Sequence, residues 1–299
     1  MKKSVSLLLA ALMLTGALAG CGSNASASDT QAADGADSGV SGAITVISRE
    51  DGSGTRGAFI ELTGVEEKTA DGKKVDNTTA DAEIANKTDV VLTSVAGNEK
   101  AIGYISLGAL NDTVKAVKVD GAEATVDNVK AGAYKLSRPF NIATKGEPTG
   151  LAKDFISFIL SKEGQAVVTD NKYIAVNDAA ESFVSDGSSG QIAVGGSSSV
   201  SPVMEKLIEA YKSVNPNASI DLQTSDSTSG MTGAMDGTFA IGMASRELKD
   251  EEAVQLTGTA IALDGIAVIV NPANTIDELS MDQIKSIYVG DITDWGDLA

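Results

Sequence analysis

The segment that decides the fold is ITVISREDGSGTRGAF, residues 44–59. It opens with a run of β-branched residues, which predicts a short strand, and continues with a turn rich in glycine and small polar residues. The residues after the turn predict the start of a helix. A helix N-terminus has unpaired N–H groups and the positive end of the helix dipole, and small residues let an oxyanion approach them closely. The segment therefore predicts a strand, turn and helix whose backbone could hold a small anion.

The same pattern occurs twice more along the chain. IAVGGSSSVSPVMEKL (192–207) and IDLQTSDSTSGMTGAM (220–235) each show a strand pattern, a turn rich in Ser, Thr and Gly, and a helix start. Hydroxyl groups in the three turns add neutral donors, from Ser53, Thr55, Ser198, Ser199, Ser227 and Thr228. One such turn is more often an ordinary tight turn or helix cap, and three separate caps stay an open alternative from sequence alone. Three in one chain favour a shared anion site.

Arg49 is the charged residue that best fits such a site. A guanidinium group matches the oxygens of a tetrahedral anion, and we expect Asp51 to orient it. The alternative is a surface arginine that pairs with Glu50 or Asp51. Charge-assisted hydrogen bonds contribute about 1.5–3 kcal/mol each, so several of them on one anion give about micromolar affinity or better. Such an arrangement provides binding and not catalysis.

The composition excludes several function classes. The net charge of −18 argues against nucleic acid and against a polybasic contact with anionic lipid. The 299 residues include no histidine and one cysteine, which excludes Ser-His-Asp and Cys-His catalysis and the common zinc and copper sites. No P-loop or dinucleotide-binding motif is present, so we expect no enzyme activity, no metal and no cofactor. Aromatic residues make up 4% of the chain, which favours a small polar ligand.

The first 21 residues predict a secretory signal. Two lysines, an apolar run over 5–14 and the segment LAGC (18–21) follow in the order of a signal peptide, and LAGC resembles the bacterial lipobox. We therefore predict a lipoprotein signal over 1–21 with lipidation at Cys21; the alternative is an ordinary signal peptide. Residues 22–41 contain little that a core could bury and predict a flexible tether. The mature protein would then lie on the extracytoplasmic face of the cell membrane, held there by its lipid anchor.

The rest of the chain alternates strand and helix patterns, which is typical of an α/β protein. The predicted strands are 43–48, 101–106, 114–119, 140–144, 192–194, 219–223 and 261–271. The clearest predicted helices, whose apolar stripes are core residues, are 151–168, 202–214 and 281–290. A stretch rich in Ser, Asp and Gly, residues 179–191, predicts a linker between two blocks.

Five motifs resemble one known family. They are SREDGSGTR (48–56), GGSSSVSPVMEKL (195–207), STSGMTGAMDGTFAIGMASREL (227–248), DGIAVIVNPAN (264–274) and IKSIYVGDITDW (284–295). Together they resemble the PstS-type phosphate-binding lipoproteins of bacterial phosphate ABC importers, over residues 42–299. The resemblance implies an α/β, two-lobed, periplasmic-binding-protein-like (type II) fold with two crossover strands. It also implies that the lobes close on one inorganic phosphate and that the protein, a monomer, docks on ABC permease subunits.

The order of these motifs differs from the common family order. In the family the segment like GSSSVSP comes first and the segment like SREDGSGTR follows the one like DITDW, whereas here residues 42–178 precede residues 192–299. The resemblance therefore implies a circularly permuted chain order. One lobe is then built from 42–140 plus 272–299, and the continuous lobe spans 141–271. The alternative is a fragment or a fusion of two partial genes.

The resemblance also implies the ligand contacts. Carried over motif by motif, the phosphate-binding residues are Arg49, Ser53, Gly54, Thr55, Ser198, Ser199 and Ser227. The family commonly has an aspartate where this chain has Ser245 and Arg246. A carboxylate in such a site accepts the proton of phosphate and repels sulfate. We predict that Ser245 contacts the ligand and that Asp226 or Asp264 takes the acceptor role.

Other functions remain open from the sequence. The site could take another oxyanion, such as sulfate, molybdate or a phosphonate. A surface phosphatase fits less well, because the chain has no histidine and no dense aspartate cluster of the kind that binds metal. A signalling or adhesive surface protein with a vestigial pocket is a third alternative.

Overall fold

The computed structural model describes residues 40–298, in which helices pack against one large mixed sheet. The strands are β1 Thr45–Arg49, β2 Glu66–Lys68, β3 Lys74–Asp76, β4 Glu83–Ala85, β5 Ala101–Ser106, β6 Lys115–Ala116, β7 Lys118–Val119, β8 Ser137–Thr144, β9 Gly190–Ser197, β10 Ala218–Ser225, β11 Ile241–Ala244, β12 Thr257–Val270 and β13 Glu278–Leu279. The helices are α1 Gly54–Thr63, α2 Thr88–Ala96, α3 Val126–Lys130, α4 Gly150–Leu160, α5 Lys162–Asp170, α6 Ser201–Val214, α7 Ser227–Asp236, α8 Asp250–Ala253 and α9 Met281–Val289. The predicted signal peptide with Cys21 and residues 22–39 of the predicted tether lie outside the described residues. Among the described helices, none is long and apolar enough to cross a membrane.

The large sheet has two long antiparallel strands at its centre. Its strand order is β10-β9-β11-β8-β12-β5-β1-β4, and the short β6 pairs with β12. β8 and β12 pair antiparallel over residues 137–144 and 257–265. On one side β9 is parallel to β10 and β11, and on the other side β1 is parallel to β4 and β5. Parallel neighbours need crossover connections, so each side is built from α/β units, and the central pair joins the two sides.

Two large hydrophobic clusters form the core, and β12 contributes to both. Ile261 belongs to the cluster that contains α4 and α6, whereas Ile266 belongs to the cluster that contains α1 and α9. The same change of cluster occurs where β8 begins: Leu136, just before β8, belongs to the cluster with α1 and α9, and Phe140 on β8 belongs to the cluster with α4 and α6. Full burial of a side chain of this size contributes about 1.5–3 kcal/mol relative to exposure, so both clusters stabilise the fold. The division into two lobes at the predicted boundaries stays a prediction.

The three predicted strand, turn and helix units are confirmed. They are β1 with α1, β9 with α6, and β10 with α7. The predicted helix 151–168 is wrong as a single helix, because the chain breaks at Ser161 into α4 and α5. Ser161 has an extended backbone, and its Oγ accepts a hydrogen bond from Gly164 N and donates one to the Phe158 carbonyl. These bonds cap α5 and end α4.

Both ends of the described chain lie against each other. Ile44 N donates a hydrogen bond to the Thr293 carbonyl over 2.8 Å, and Trp295 N donates to the Gly42 carbonyl over 3.1 Å. The side chain of Trp295 is buried in the cluster that contains α1 and α9. The segment before β1 and the segment after α9 are therefore fastened together, although they are far apart in sequence.

Candidate anion-binding site

The turn between β1 and α1 gathers several donors in the protein interior. Arg49 is the last residue of β1, and its side chain is 3% exposed. Ser53 caps α1, since its Oγ accepts a hydrogen bond from Arg56 N over 3.3 Å. Gly54 and Thr55 are the first two residues of α1, and both are buried. The N-terminus of α1 therefore lies inside the protein, close to Arg49.

Two further turns and the end of β11 supply serine hydroxyls. Ser197 is the last residue of β9, and Ser198 and Ser199 lead from it toward α6. Ser227 is the first residue of α7, and Ser245 directly follows β11. All five serines are buried. Buried hydroxyl groups have partners inside the protein or on a bound molecule, and not in bulk water.

Hydrogen bonds connect these turns directly. Arg49 Nη2 donates to Ser198 Oγ over 3.1 Å, which joins the first turn to the second. Thr55 Oγ1 lies 2.8 Å from Ser199 Oγ and 3.2 Å from Ser245 Oγ. In both of these hydroxyl pairs either oxygen can be the donor. From the sequence, the turns were either three separate helix caps or parts of one shared site. In the structure they meet at one place.

Further hydroxyl groups extend this network. Ser197 Oγ donates to Ser245 Oγ over 3.0 Å, and Ser227 Oγ accepts a hydrogen bond from Ser245 N over 3.1 Å. Thr88, the first residue of α2, has its Oγ1 3.4 Å from Ser198 Oγ. We call this buried network the hydroxyl cluster; its members are Thr55, Thr88, Ser197, Ser198, Ser199, Ser227 and Ser245.

Gly54 lets the first and third turns approach each other. A Cβ atom at Gly54 would lie 2.4 Å from Ser227 Oγ and 2.9 Å from Ser245 Oγ, so any side chain there would have to displace these two hydroxyls. The Ser53 side chain caps the N-terminus of α1. Among the described hydrogen bonds, it has none to the hydroxyl cluster. The structure thus brings the predicted site residues into one region. Their role as ligand contacts stays a prediction.

Arg49 is held by Glu50 and not by Asp51. Arg49 Nε and Nη2 donate to the two carboxylate oxygens of Glu50, each over 2.8 Å. The Asp51 side chain is 97% exposed and pairs with Arg56 instead. The expectation that Asp51 orients Arg49 is therefore wrong, and the alternative of a surface arginine is wrong as well, because Arg49 is buried. The bidentate pair fixes the orientation of the Arg49 guanidinium.

Arg138 also reaches the hydroxyl cluster, although no sequence pattern had pointed to it. It lies on β8 and is buried, and its Nη2 donates to Thr55 Oγ1 over 3.2 Å. Its Nη1 pairs with Asp264 and donates to the Gly265 carbonyl over 2.8 Å. Burial raises the pKa of the Asp264 carboxyl, while the Arg138 guanidinium and the Ser106 hydroxyl oppose that rise. The local sequence carries no signal for this role, because the placement of Arg138 depends on the pairing of β8 with β12.

The two predicted acceptor carboxylates are engaged elsewhere. Asp264 accepts a hydrogen bond from Ser106 Oγ over 2.6 Å and pairs with Arg138. Asp226 caps α7 and accepts hydrogen bonds from the backbone N and the Oγ of Ser229, over 2.9 and 2.6 Å. Neither carboxylate has a hydrogen bond to the hydroxyl cluster among the described residues. The prediction that one of them accepts a ligand proton gains no support from this arrangement.

Arg246, which with Ser245 stands where the resemblance implies an aspartate, turns its guanidinium away from the cluster. Its Nη1 and Nη2 donate to the Glu252 carboxylate over 2.7 and 2.8 Å. Within residues 40–298, no group of three or more His, Cys, Asp or Glu side chains could hold a metal ion. The site therefore offers arginine and hydroxyl groups, which are chemically able to hold an anion through hydrogen bonds.

A comparison with protein families identifies this architecture. A family model described as a PBP superfamily domain matches residues 23–163 and 182–299. The chain belongs to the PBP superfamily. This membership and the mixed sheet confirm the predicted periplasmic-binding-protein-like α/β fold. The circular permutation stays a prediction.

Streptococcal phosphate-binding proteins are similar to this chain over most of its length. The Phosphate-binding protein PstS 2 of Streptococcus agalactiae serotype V is 50% identical over 300 residues, which cover 99% of this chain and 98% of that protein. The protein of the same name from Streptococcus pneumoniae serotype 4 is 49% identical over 296 residues, which cover 99% of each. A crystal structure of a phosphate ABC transporter, phosphate-binding protein, from Streptococcus pneumoniae TIGR4 is also similar, with 50% sequence identity and a TM-score of 0.69. The match covers 86% of this chain and 100% of that chain. The resemblance to the PstS type is thereby confirmed, and these names describe binding proteins and not enzymes.

Proposed function

We propose that the hydroxyl cluster, Arg49 and the N-terminus of α1 bind inorganic phosphate, which the protein delivers to an ABC permease. The contact of 3.1 Å between Arg49 Nη2 and Ser198 Oγ carries the proposal, because it brings two of the three turns together in the interior. The names of the streptococcal relatives support the same ligand and the same kind of partner.

The chemistry of the hydroxyl cluster suits an oxyanion. Arginine N–H groups can only donate hydrogen bonds, whereas each serine or threonine hydroxyl donates one hydrogen and also accepts. The pairs of Thr55 with Ser199 and Ser245 join hydroxyls that can exchange donor and acceptor roles. Each hydroxyl can therefore rotate its hydrogen toward one anion. Unpaired backbone N–H groups at the start of α1 add donors of fixed direction.

The net charge of −18 does not oppose this binding strongly. Charges that lie more than about 8 Å away through water are largely screened at physiological salt. The carboxylate nearest to Arg49 belongs to Glu50, and it is already paired with the Arg49 guanidinium. A small buried anion therefore responds mainly to the donors around it.

We also propose that Cys21 carries the lipid that anchors the protein on the extracytoplasmic face of the cell membrane. The signal-like order of residues 1–21 supports this assignment. A single acyl chain gives only marginal membrane binding, so a stable anchor needs a second chain. Mass spectrometry of the purified mature protein, with Cys21→Ser as the control, tests for a lipid on its first residue.

Sulfate is the second candidate ligand, and a specific observation favours it. Among the described residues, no carboxylate is hydrogen-bonded to the hydroxyl cluster, since Asp226 and Asp264 bind Ser229 and Ser106. A carboxylate would repel fully ionised sulfate, so arginine and hydroxyl groups alone discriminate less between the two anions. Phosphate remains the first candidate because of the relatives' names.

Calorimetric titration with phosphate, arsenate and sulfate tests this proposal. We expect phosphate and arsenate to bind with dissociation constants of about 1 µM or lower, because several charge-assisted hydrogen bonds converge on the anion. Sulfate binding as tight as phosphate binding would make the protein a general oxyanion binder. No binding of any of the three anions would overturn the proposal.

The change Arg49→Ala tests the site itself. We expect the unaltered protein to melt at a higher temperature in phosphate, because a ligand that binds only the folded state stabilises it. Arg49→Ala should lose this phosphate-dependent shift. Arg56→Ala is the matched control: Arg56 lies on α1, and its guanidinium binds Asp51, Asp76 and the Arg49 carbonyl but no member of the hydroxyl cluster. An Arg49→Ala protein that keeps the full shift would contradict the assignment.

A further inference from the structure

We propose that Arg138 is a second arginine of the anion site, which binds the anion through the Nε and Nη2 edge of its guanidinium. This inference rests on the proposed function and adds to it a residue that lies outside the three turns. Arg138 lies on β8 and is paired in register with Asp264 on β12, so it stands at the centre of the sheet. From there its Nη2 reaches Thr55 Oγ1 in the hydroxyl cluster over 3.2 Å.

The hydrogen bonds of Arg138 are distributed unevenly over its guanidinium. Nη1 donates to the Asp264 carboxylate and to the Gly265 carbonyl, which holds one side of the group in place. On the opposite edge, Nη2 has Thr55 as its partner, and Nε is buried without a hydrogen-bond partner. A buried N–H group without a partner is costly, and native proteins rarely contain one without a reason. The unpaired Nε therefore points to a ligand.

A comparison with Arg49 shows what this edge can do. In Arg49 the edge formed by Nε and Nη2 binds both oxygens of the Glu50 carboxylate. In Arg138 the equivalent edge carries one hydroxyl, Thr55, which can turn toward an anion. The Nε and Nη2 edge of a guanidinium matches two oxygens of a carboxylate or phosphate in a fixed geometry. The Nε and Nη2 edge is therefore occupied by a carboxylate in Arg49 but is available for an anion in Arg138.

The ion pair with Asp264 stabilises the buried Arg138 guanidinium when no anion is bound. A buried arginine without a counter-charge is strongly unfavourable, whereas a paired one is tolerated. Asp264 is buried, pairs with Nη1, and is itself held by Ser106 Oγ over 2.6 Å. The pair therefore positions Arg138 and leaves its other edge toward the hydroxyl cluster.

The competing explanation is that the ion pair of Arg138 and Asp264 only ties β8 to β12. The double variant Arg138→Met with Asp264→Asn separates the two explanations, because removing both charges leaves no unpaired buried charge. The change Asp264→Asn keeps a carbonyl oxygen that can accept the hydrogen bond from Ser106 Oγ. The matched control is Arg246→Met with Glu252→Gln, since this partly buried arginine pair has no hydrogen bond to a member of the hydroxyl cluster. Arg246 Nη2 also lies 3.4 Å from Thr228 Oγ1, which is outside the cluster.

Phosphate affinity is measured by calorimetry for the unaltered protein and for both double variants, and folding is checked by circular dichroism without phosphate. We expect Arg138→Met with Asp264→Asn to fold and to bind phosphate at least about 10-fold more weakly, as expected for the loss of charge-assisted hydrogen bonds. The control variant should keep its affinity. A folded Arg138→Met, Asp264→Asn protein with unchanged affinity would overturn the inference and leave the proposed function intact.

A single variant covers the case in which the double variant does not fold. Arg138→Lys keeps the positive charge next to Asp264 but has no Nε and Nη2 edge, so we expect weaker phosphate binding with little change in melting temperature. Unchanged affinity in Arg138→Lys would overturn the inference. If the unaltered protein itself did not bind phosphate, the proposed function would fail and this inference with it.

Discussion

Single residues decide how closely the two sides of the candidate site approach each other. Thr228 N donates a hydrogen bond to the Gly52 carbonyl over 3.1 Å, which joins the first turn to the third. Two residues later, a Cβ at Gly54 would lie 2.4 Å from Ser227 Oγ. A real Cβ does not approach a neighbouring atom this closely, so one added methyl group would have to displace the hydroxyl groups of Ser227 and Ser245. The present arrangement of these hydroxyls therefore depends on a position without a side chain.

The change Gly54→Ala should weaken phosphate binding at least about 10-fold, which corresponds to about 1.4 kcal/mol. The physical reason is the displacement of Ser227 and Ser245, whose hydroxyls would meet the new Cβ. Gly57→Ala is the control on the same helix, because its Cβ would lie 4.0 Å from the nearest side-chain atom, Arg246 Cδ. Alanine in place of a helical glycine even favours the helix by up to about 1 kcal/mol. Equal phosphate affinities of the two variants in calorimetry would contradict this interpretation of Gly54.

At this scale the sequence predicted the residues of the turns and, through the resemblance, Ser245, but it did not predict Arg138 and Thr88. Arg49, Thr55 and Ser198 were predictable, because Gly, Ser and Thr next to a helix start mark a possible anion site in the sequence itself. Arg138 and Thr88 were not, because nothing local shows that a strand residue and a helix start face the same hydroxyls. Their placement follows from strand pairing across the whole sheet, such as the register of β8 with β12.

At the scale of elements, the buried carboxylate of Asp154 joins α4 and α6 to the predicted linker 179–191. Asp154 on α4 accepts hydrogen bonds from Tyr211 on α6 over 2.6 Å and from Ser185 Oγ and Asp186 N, both over 2.9 Å. Burial alone raises the pKa of the Asp154 carboxyl, but hydrogen bonds from Tyr211, Asp186 and Ser185 outweigh burial and lower the pKa. The predicted linker 179–191 is therefore held at its centre.

Asp154→Asn should lower the free energy of unfolding by about 2 kcal/mol at pH 7, because hydrogen bonds to a buried charged group are lost. The folded-state pKa of Asp154 is lowered, so its contribution is complete above the ordinary aspartate pKa of about 3.9 and is lost as pH falls through the folded-state pKa. The difference between variant and unaltered protein should therefore shrink below about pH 4. Urea unfolding at several pH values measures this, with Asp112→Asn in an exposed turn as the control. A difference that stays constant down to pH 2 would rule out a role of the Asp154 charge.

Element types were easier to predict than element ends. The strand, turn and helix units were visible because hydrophobic periodicity and turn residues are local properties. The break at Ser161 was not, because the apolar pattern continues across it and the side-chain cap that ends α4 becomes visible only in three dimensions. β11 was also missed: its four residues IGMA are too short to show a period.

At the scale of the whole molecule, the two ends of the described residues 40–298 bear on the predicted permutation. Gly42 and Ile44 are hydrogen-bonded to Trp295 and Thr293, so a short connection could join the two ends. The segment around Gly187 is exposed and lies outside helices and strands. Chains tolerate permutation where their ends are close on the surface and the new break falls in such a segment.

A re-ordered chain tests this prediction. It begins at Ser188, continues from Ala299 through a flexible Gly/Ser linker to Gly42, and ends at Gly187. We expect it to fold and to bind phosphate, because every strand pairing of the large sheet is kept. A chain opened at Phe140 is the control, since that break interrupts β8 in its pairing with β12 and should prevent folding. If the first chain is as unfolded as the control by circular dichroism, the permutation account loses its structural basis.

The candidate site joins residues that are very distant along the chain. Sequence separations of 83, 149 and 190 residues lie between Arg138 and Thr55, between Arg49 and Ser198, and between Thr55 and Ser245. A partly synthesised chain, or a proteolytic piece of it, therefore lacks the complete set of donors. We therefore expect separately produced fragments, such as residues 42–187 and 188–299, to lack the phosphate binding proposed for the complete chain.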